Sequence, residues 1–63
     1  MMAGAIADYR KVILLNPQHA QAYFNMAMAQ QNTGQLKEAC SNFNNALKLG
    51  YADAQNLINK YCQ

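Results

Sequence analysis

The chain has 63 residues, a formal charge of +2 and 52% hydrophobic residues, enough for one small domain that buries only about 60% of its unfolded surface. Its five basic residues (Arg10, Lys11, Lys37, Lys48 and Lys60) are scattered, so no basic stripe follows a nucleic-acid backbone, and no apolar run approaches the ~20 residues that a membrane-spanning helix needs. Cys40 and Cys62 are too few for a disulfide scaffold and lack CxxC spacing.

Alanine, asparagine and glutamine are abundant and β-branched residues few, which favours helix over sheet. The opening MMAGAIADYRK has no basic stretch ahead of its apolar residues and does not read as a signal peptide, so the compartment stays open. From Met2 to Leu15, apolar residues fall at Met2, Ala5, Ile6, Tyr9, Val12 and Ile13, the i, i+3, i+4, i+7 spacing of a helix. Asn16-Pro17 ends that helix and opens the next, with Asn16 as cap and Pro17 at the first helical position. The second segment, Ala20 to Asn32, carries two stripes. Tyr23, Met26, Ala27 and Gln30 form one; Gln21, Phe24, Asn25, Met28, Gln31 and Asn32 form the other. Gly34 is placed as a left-handed stop. A third helix from about Gln35 to Leu49 puts Leu36, Ala39, Cys40, Phe43, Ala46 and Leu47 on one face, and Gly50 stops it. A last segment, Ala52 to about Tyr61, opposes Ala54, Leu57, Ile58 and Tyr61 to a polar stripe of Asn56, Asn59, Lys60 and Gln63.

The faces repeat. Met2, Ala5, Ile6, Tyr9, Val12 and Ile13 map onto Leu36, Ala39, Cys40, Phe43, Ala46 and Leu47 at a constant offset of 34. The same offset carries Ala20-Gln21 to Ala54-Gln55, Tyr23-Phe24 to Leu57-Ile58, and Asn25 to Asn59. Such a period means stacked units, each too small to bury its own apolar face alone.

With these residues in place the chain resembles the tetratricopeptide repeat family. Tyr23 stands for that family's first aromatic, Met26-Ala27 for its Leu-Gly pair and Gln30 for its second aromatic. Gly34 falls at the turn within the repeat, Ala39, Phe43 and Ala46 match the second helix, and Tyr51 fills the proline slot. The preceding half matches through Ala5, Tyr9, Val12 and Pro17. Two departures stand out. Gln30 in an aromatic slot predicts looser packing of the hairpin. Gly50-Tyr51 in place of Asp/Asn-Pro predicts that the array ends here, with a final helix like those closing many bacterial arrays. The resemblance implies an all-α solenoid of antiparallel hairpins, about four helices in a single domain. Residues 2–16 would be the second helix of an incomplete repeat, 20–53 a complete repeat and 54–63 a capping helix.

The implied function is a protein-interaction or scaffolding module, with no enzyme activity and no cofactor. First helices of the family line a concave groove. Carried over by position, the peptide- or partner-binding residues are Gln21, Phe24, Asn25, Met28, Gln31 and Asn32, continued by Gln55 and Asn59. Amides suit a peptide backbone, because they both donate and accept, and Met28 adds an adaptable contact. The family's carboxylate clamp is not expected: Met28 replaces its second Asn, and Gln55 and Asn59 replace its basic residues, leaving no charge for an anion. The alternative is a self-association unit. The first helix lacks a partner from its own repeat, and burying an Ile or Tyr contributes roughly 1.5–3 kcal/mol. Ile6, Tyr9 and Ile13 are therefore expected to be covered by a second copy or by upstream repeats of a longer chain. RNA binding of the pentatricopeptide kind is disfavoured by the 34-residue spacing and the weak charge. Cys40 and Cys62 read as buried thiols, with a disulfide between cap and hairpin as the alternative. His19 reads as a solvated first-turn residue, and Asp8, Glu38 and Asp53 are not placed together, so no metal or catalytic site is expected.

Overall fold

The structure, a computed structural model, describes residues 2–62, without the side chains of Met2, Ala3 and Ala5. Those positions of the first stripe, and Gln63 of the last polar stripe, lie outside the described residues. Four helices follow one another: α1 Met2–Leu15, α2 Ala20–Asn32, α3 Leu36–Lys48 and α4 Ala54–Tyr61. Helix α2 packs between α1 and α3, and α4 packs on α3. The period is visible in the helix starts, since Met2 and Leu36 are separated by the same 34 positions as Ala20 and Ala54. The Cα trace fills a slab of 28 × 25 × 14 Å, so every helix keeps much of its surface in water.

Glycine ends two of the helices as expected. Gly34 (φ 82°) and Gly50 (φ 99°) take the left-handed conformation that a side chain resists. Around Gly34, the Gln35 amide donates to Gln30 O at 2.8 Å and the Gly34 amide to Gln31 O at 3.2 Å. Around Gly50, the Tyr51 amide donates to Ala46 O at 2.9 Å and the Gly50 amide to Leu47 O at 3.0 Å. Both ends are Schellman motifs, in which paired bonds satisfy otherwise orphaned carbonyls.

The start of α2 differs from the expectation. The Asn16 amide still donates to Val12 O at 2.8 Å, as the last bond of α1. Its Oδ1 accepts from the Gln18 amide at 3.3 Å and closes a turn around Pro17. Capping passes to His19, whose Nδ1 accepts from the Ala22 amide at 3.1 Å. Reversing the chain takes three more residues than the Asn-Pro reading allowed.

The main core lies where α2, α3 and α4 meet. Ala27, Ala39, Phe43, Ala46 and Ala54 are all fully buried. Alanines on both helices let the backbones approach, and the Phe43 ring fills the remaining space, a burial that contributes roughly 1.5–3 kcal/mol. A second cluster joins α1 to α2 through Ile6, Met26 and Ala29, with Tyr9 and Ile13 half-buried against it. Part of the first helix's stripe is thus covered from within the chain. Ile6, Tyr9 and Ile13 turn toward α2, while Val12 (37% exposed), Leu14 (82%) and Leu15 (88%) remain in solvent. The sequence stripe was read as one face, but a helix with one neighbour offers that neighbour only part of it.

Two further expectations change. Gln30 does not loosen the hairpin: it is 1% exposed, and its Oε1 accepts from Asn42 Nδ2 at 2.7 Å. A buried amide is tolerated there because its acceptor is satisfied from α3. Cys40 and Cys62 are not free thiols but a disulfide, with Cα atoms 5.6 Å apart. Antiparallel packing brings the end of α4 level with the first turns of α3. A bridge across 22 positions contributes about 3 kcal/mol, largely by restricting the unfolded chain.

Substituting Ala46→Leu in the fully buried seam should lower stability by about 1–3 kcal/mol through overpacking. Urea unfolding followed by circular dichroism measures it, and an unshifted midpoint would remove Ala46 from the seam.

Candidate functional site

Helix α2 is held on two sides, so whatever it presents is presented rigidly. Ala22, Met26 and Ala29 are buried, as are Ala27 and Gln30. Of the remaining face, Gln21 and Asn32 are exposed, and Phe24, Asn25, Met28 and Gln31 are half-buried. Gln55 and Asn59, on α4, are exposed.

These eight positions do not behave alike. Phe24 is committed to packing: its ring meets Phe43 edge-on at 5.6 Å and stacks on Tyr51 at 4.6 Å, 28° from parallel. Offset stacks and edge contacts at such separations are favourable beyond their buried area. Met28 leans on the same Phe43 cluster. On α4, Gln55 Nε2 donates to Asn59 Oδ1 at 3.0 Å, one helical turn along. Among the described residues, no hydrogen bond engages the side chains of Gln21, Asn25, Gln31 or Asn32. The site therefore reduces to four amides on α2, an apolar floor of Met28 and the Phe24 edge, and a pre-paired Gln55–Asn59 couple.

Sequence reading missed an amide relay. Asn42 Nδ2 donates to Gln30 Oε1, and Asn45 Nδ2 donates to Asn42 Oδ1 at 3.4 Å. The signal was present in Asn42 and Asn45, which share a helix edge three residues apart. The family pattern sets Gln30 against the aromatic it replaces and says nothing of the amides that face it. The Phe24–Tyr51 stack was likewise legible only after Tyr51 was allowed a positive role in the proline slot.

Among the described residues, no group of three or more His, Cys, Asp or Glu side chains converges as a metal site would require. No described helix is long and apolar enough to cross a membrane. The sequence profile of the tetratricopeptide repeat matches residues 8–41, more than half of the chain, from within α1 to the first turns of α3. The chain belongs to the tetratricopeptide repeat family. No curated protein and no solved structure gives a match. Tetratricopeptide repeats generally mediate protein–protein interaction and are typically not enzymes. The four-helix, all-α arrangement is that of a tetratricopeptide-like helical repeat.

The aromatic geometry gives a direct check on the split of this face. Phe24→Ala should lower stability by about 2 kcal/mol, since a half-buried ring loses contact with both Phe43 and Tyr51. An unchanged urea midpoint would take Phe24 out of the packing.

Proposed function

We infer that the chain is an interaction module in which α2 recognises an extended peptide or partner helix through Gln21, Asn25, Gln31 and Asn32. Met28 and the Phe24 edge form the apolar floor, and Gln55 and Asn59 extend the surface onto α4. One observation carries the reading. These four amides sit on a helix fixed from both sides and make no bond of their own among the described residues. Polar groups that are positioned but unused lose little freedom when a ligand arrives, and preorganisation of that kind favours affinity. Their chemistry matches a peptide backbone, which offers both N–H and C=O.

Selection of peptides from a random displayed library, followed by amide chemical-shift mapping of a selected binder, tests this. Shifts should concentrate on residues 21–32, and Asn25→Ala should weaken binding by about tenfold, the loss of one to two good hydrogen bonds. Thermal stability should be unchanged in that variant. Binders that perturb only α1 would refute the assignment.

A second reading is favoured by a comparison internal to the repeat. Phe43 and Ala46 of α3 are fully buried under α2, whereas their equivalents on α1, Tyr9 and Val12, are half-buried and 37% exposed. Leu49 is 38% exposed, and its equivalent Leu15 is 88%. The side of α1 that would face a first helix is thus short of cover. We propose that the parts of Tyr9 and Ile13 that α2 leaves uncovered, together with Val12 and Leu15, are where a second copy or an upstream helix seats. Sedimentation analysis across micromolar concentrations should show association that Leu15→Glu abolishes. A monomer at all concentrations would leave only the upstream helix as occupant.

A further inference from the structure

We propose that the Cys40–Cys62 disulfide is a redox latch that holds α4 closed on α3, so that a dithiol reductant releases the last helix while the rest of the fold persists. The inference stands apart from what α2 binds. It rests on how unevenly the helices are anchored.

Helix α4 is weak by itself. It has eight residues, two turns, well under the length at which an isolated helix holds in water. Asp53 at its start is in helical conformation and makes no side-chain capping bond. Only Ala54, at its first turn, is fully buried; Leu57 and Ile58 are half-buried, and Gln55, Asn56, Asn59 and Lys60 are exposed. The beginning of α4 is fixed by the Gly50 Schellman turn, through Tyr51 and its stack on Phe24. Toward its far end Leu57 and Ile58 pack half-buried on the core, and the covalent anchor is Cys62, the C-cap residue, whose amide donates to Ile58 O at 2.8 Å.

The other three helices do not share this dependence. Helices α1 and α2 are joined by the Ile6, Met26 and Ala29 cluster, and α2 and α3 by Ala27, Ala39, Phe43 and Ala46 with the Gln30–Asn42 hydrogen bond. Opening the latch therefore removes the covalent support of the last turn of α4 and leaves those seams intact. Cys40 and Cys62 are both half-buried, so a small thiolate reaches the bond.

The chemistry balances with a dithiol. One thiolate of the reductant attacks a sulfur of the bridge, the S–S bond breaks, and the departing cysteine leaves as a thiolate that takes a proton. The second thiol of the reductant then displaces the other cysteine from the mixed disulfide. Cys40 and Cys62 gain two electrons and two protons in total, and the reductant leaves as its own disulfide.

Amide hydrogen exchange on the full chain, air-oxidised and then reduced with dithiothreitol, tests the latch. Residues 58–62 should lose protection on the order of 100-fold on reduction, the scale expected for a bridge of this span. The Gln35 amide, in the turn between α2 and α3, should keep its own. Cys62→Ser should reproduce the reduced pattern without reductant, and Cys40→Ser should do the same. Unchanged protection in residues 58–62 would overturn the proposal. So would an equal loss across α2 and α3, or a thiol titration finding both cysteines free in the air-oxidised protein.

Discussion

Phe43 sits where three helices meet, and four alanines close around its ring: Ala27 from α2, Ala39 and Ala46 from α3, and Ala54 from α4. The small residues set how near the helices can lie, and the single large one fills what they leave. Neither works alone. A larger residue at an alanine position would push the backbones apart, and a smaller one at position 43 would leave a void whose lining has lost its contacts. The remaining aromatic contacts are built outward from this point. Phe24 places an edge on Phe43, and Tyr51 stacks on Phe24. The turn between α3 and α4 is located by that chain of rings.

The consequence for function is a division of labour around α2. Its buried residues join α1 on one side and α3 on the other, which leaves one strip to solvent. That strip carries amides rather than charge, and its apolar floor is borrowed from the core. A strip made this way is stiff because the residues beneath it are the residues that hold the domain together. In so thin a slab no layer exists beneath the core to absorb a displacement. Phe24 and Met28 are therefore tied into the packing, whereas Gln21 and Asn32 lie exposed near the two ends of the helix.

Much of this was legible in the residues. Apolar spacing gave the four helices, and the offset between Ala5–Ile13 and Ala39–Leu47 gave the repeat. Gly34 and Gly50 marked their stops because a left-handed residue is required there and glycine takes that conformation freely. What escaped was pairwise. Gln30 looked like a defect until Asn42 was seen to face it. The sequence left Cys40 and Cys62 open between thiols and a bridge because spacing along a chain does not give the level at which antiparallel helices meet. The packing of Ile6, Tyr9 and Ile13 on α2 was not legible either, because periodicity reports which residues share a stripe, and not which neighbour that stripe meets. The start of α2 failed differently: Asn16-Pro17 is a sound local signal, but the last bond of α1 already used the Asn16 amide.

The two glycine turns carry one more implication. In each, the bonds that finish one helix are completed within six residues, Gln30 to Gln35 and Ala46 to Tyr51. The carbonyls of Gln30, Gln31, Ala46 and Leu47 thus find their donors inside the turn itself. A gene segment duplicated or deleted in whole periods would thus splice at such a turn without breaking these bonds. Lengthening the array would then be a matter of supplying side-chain complementarity alone. Units of this kind can multiply by copying before they specialise.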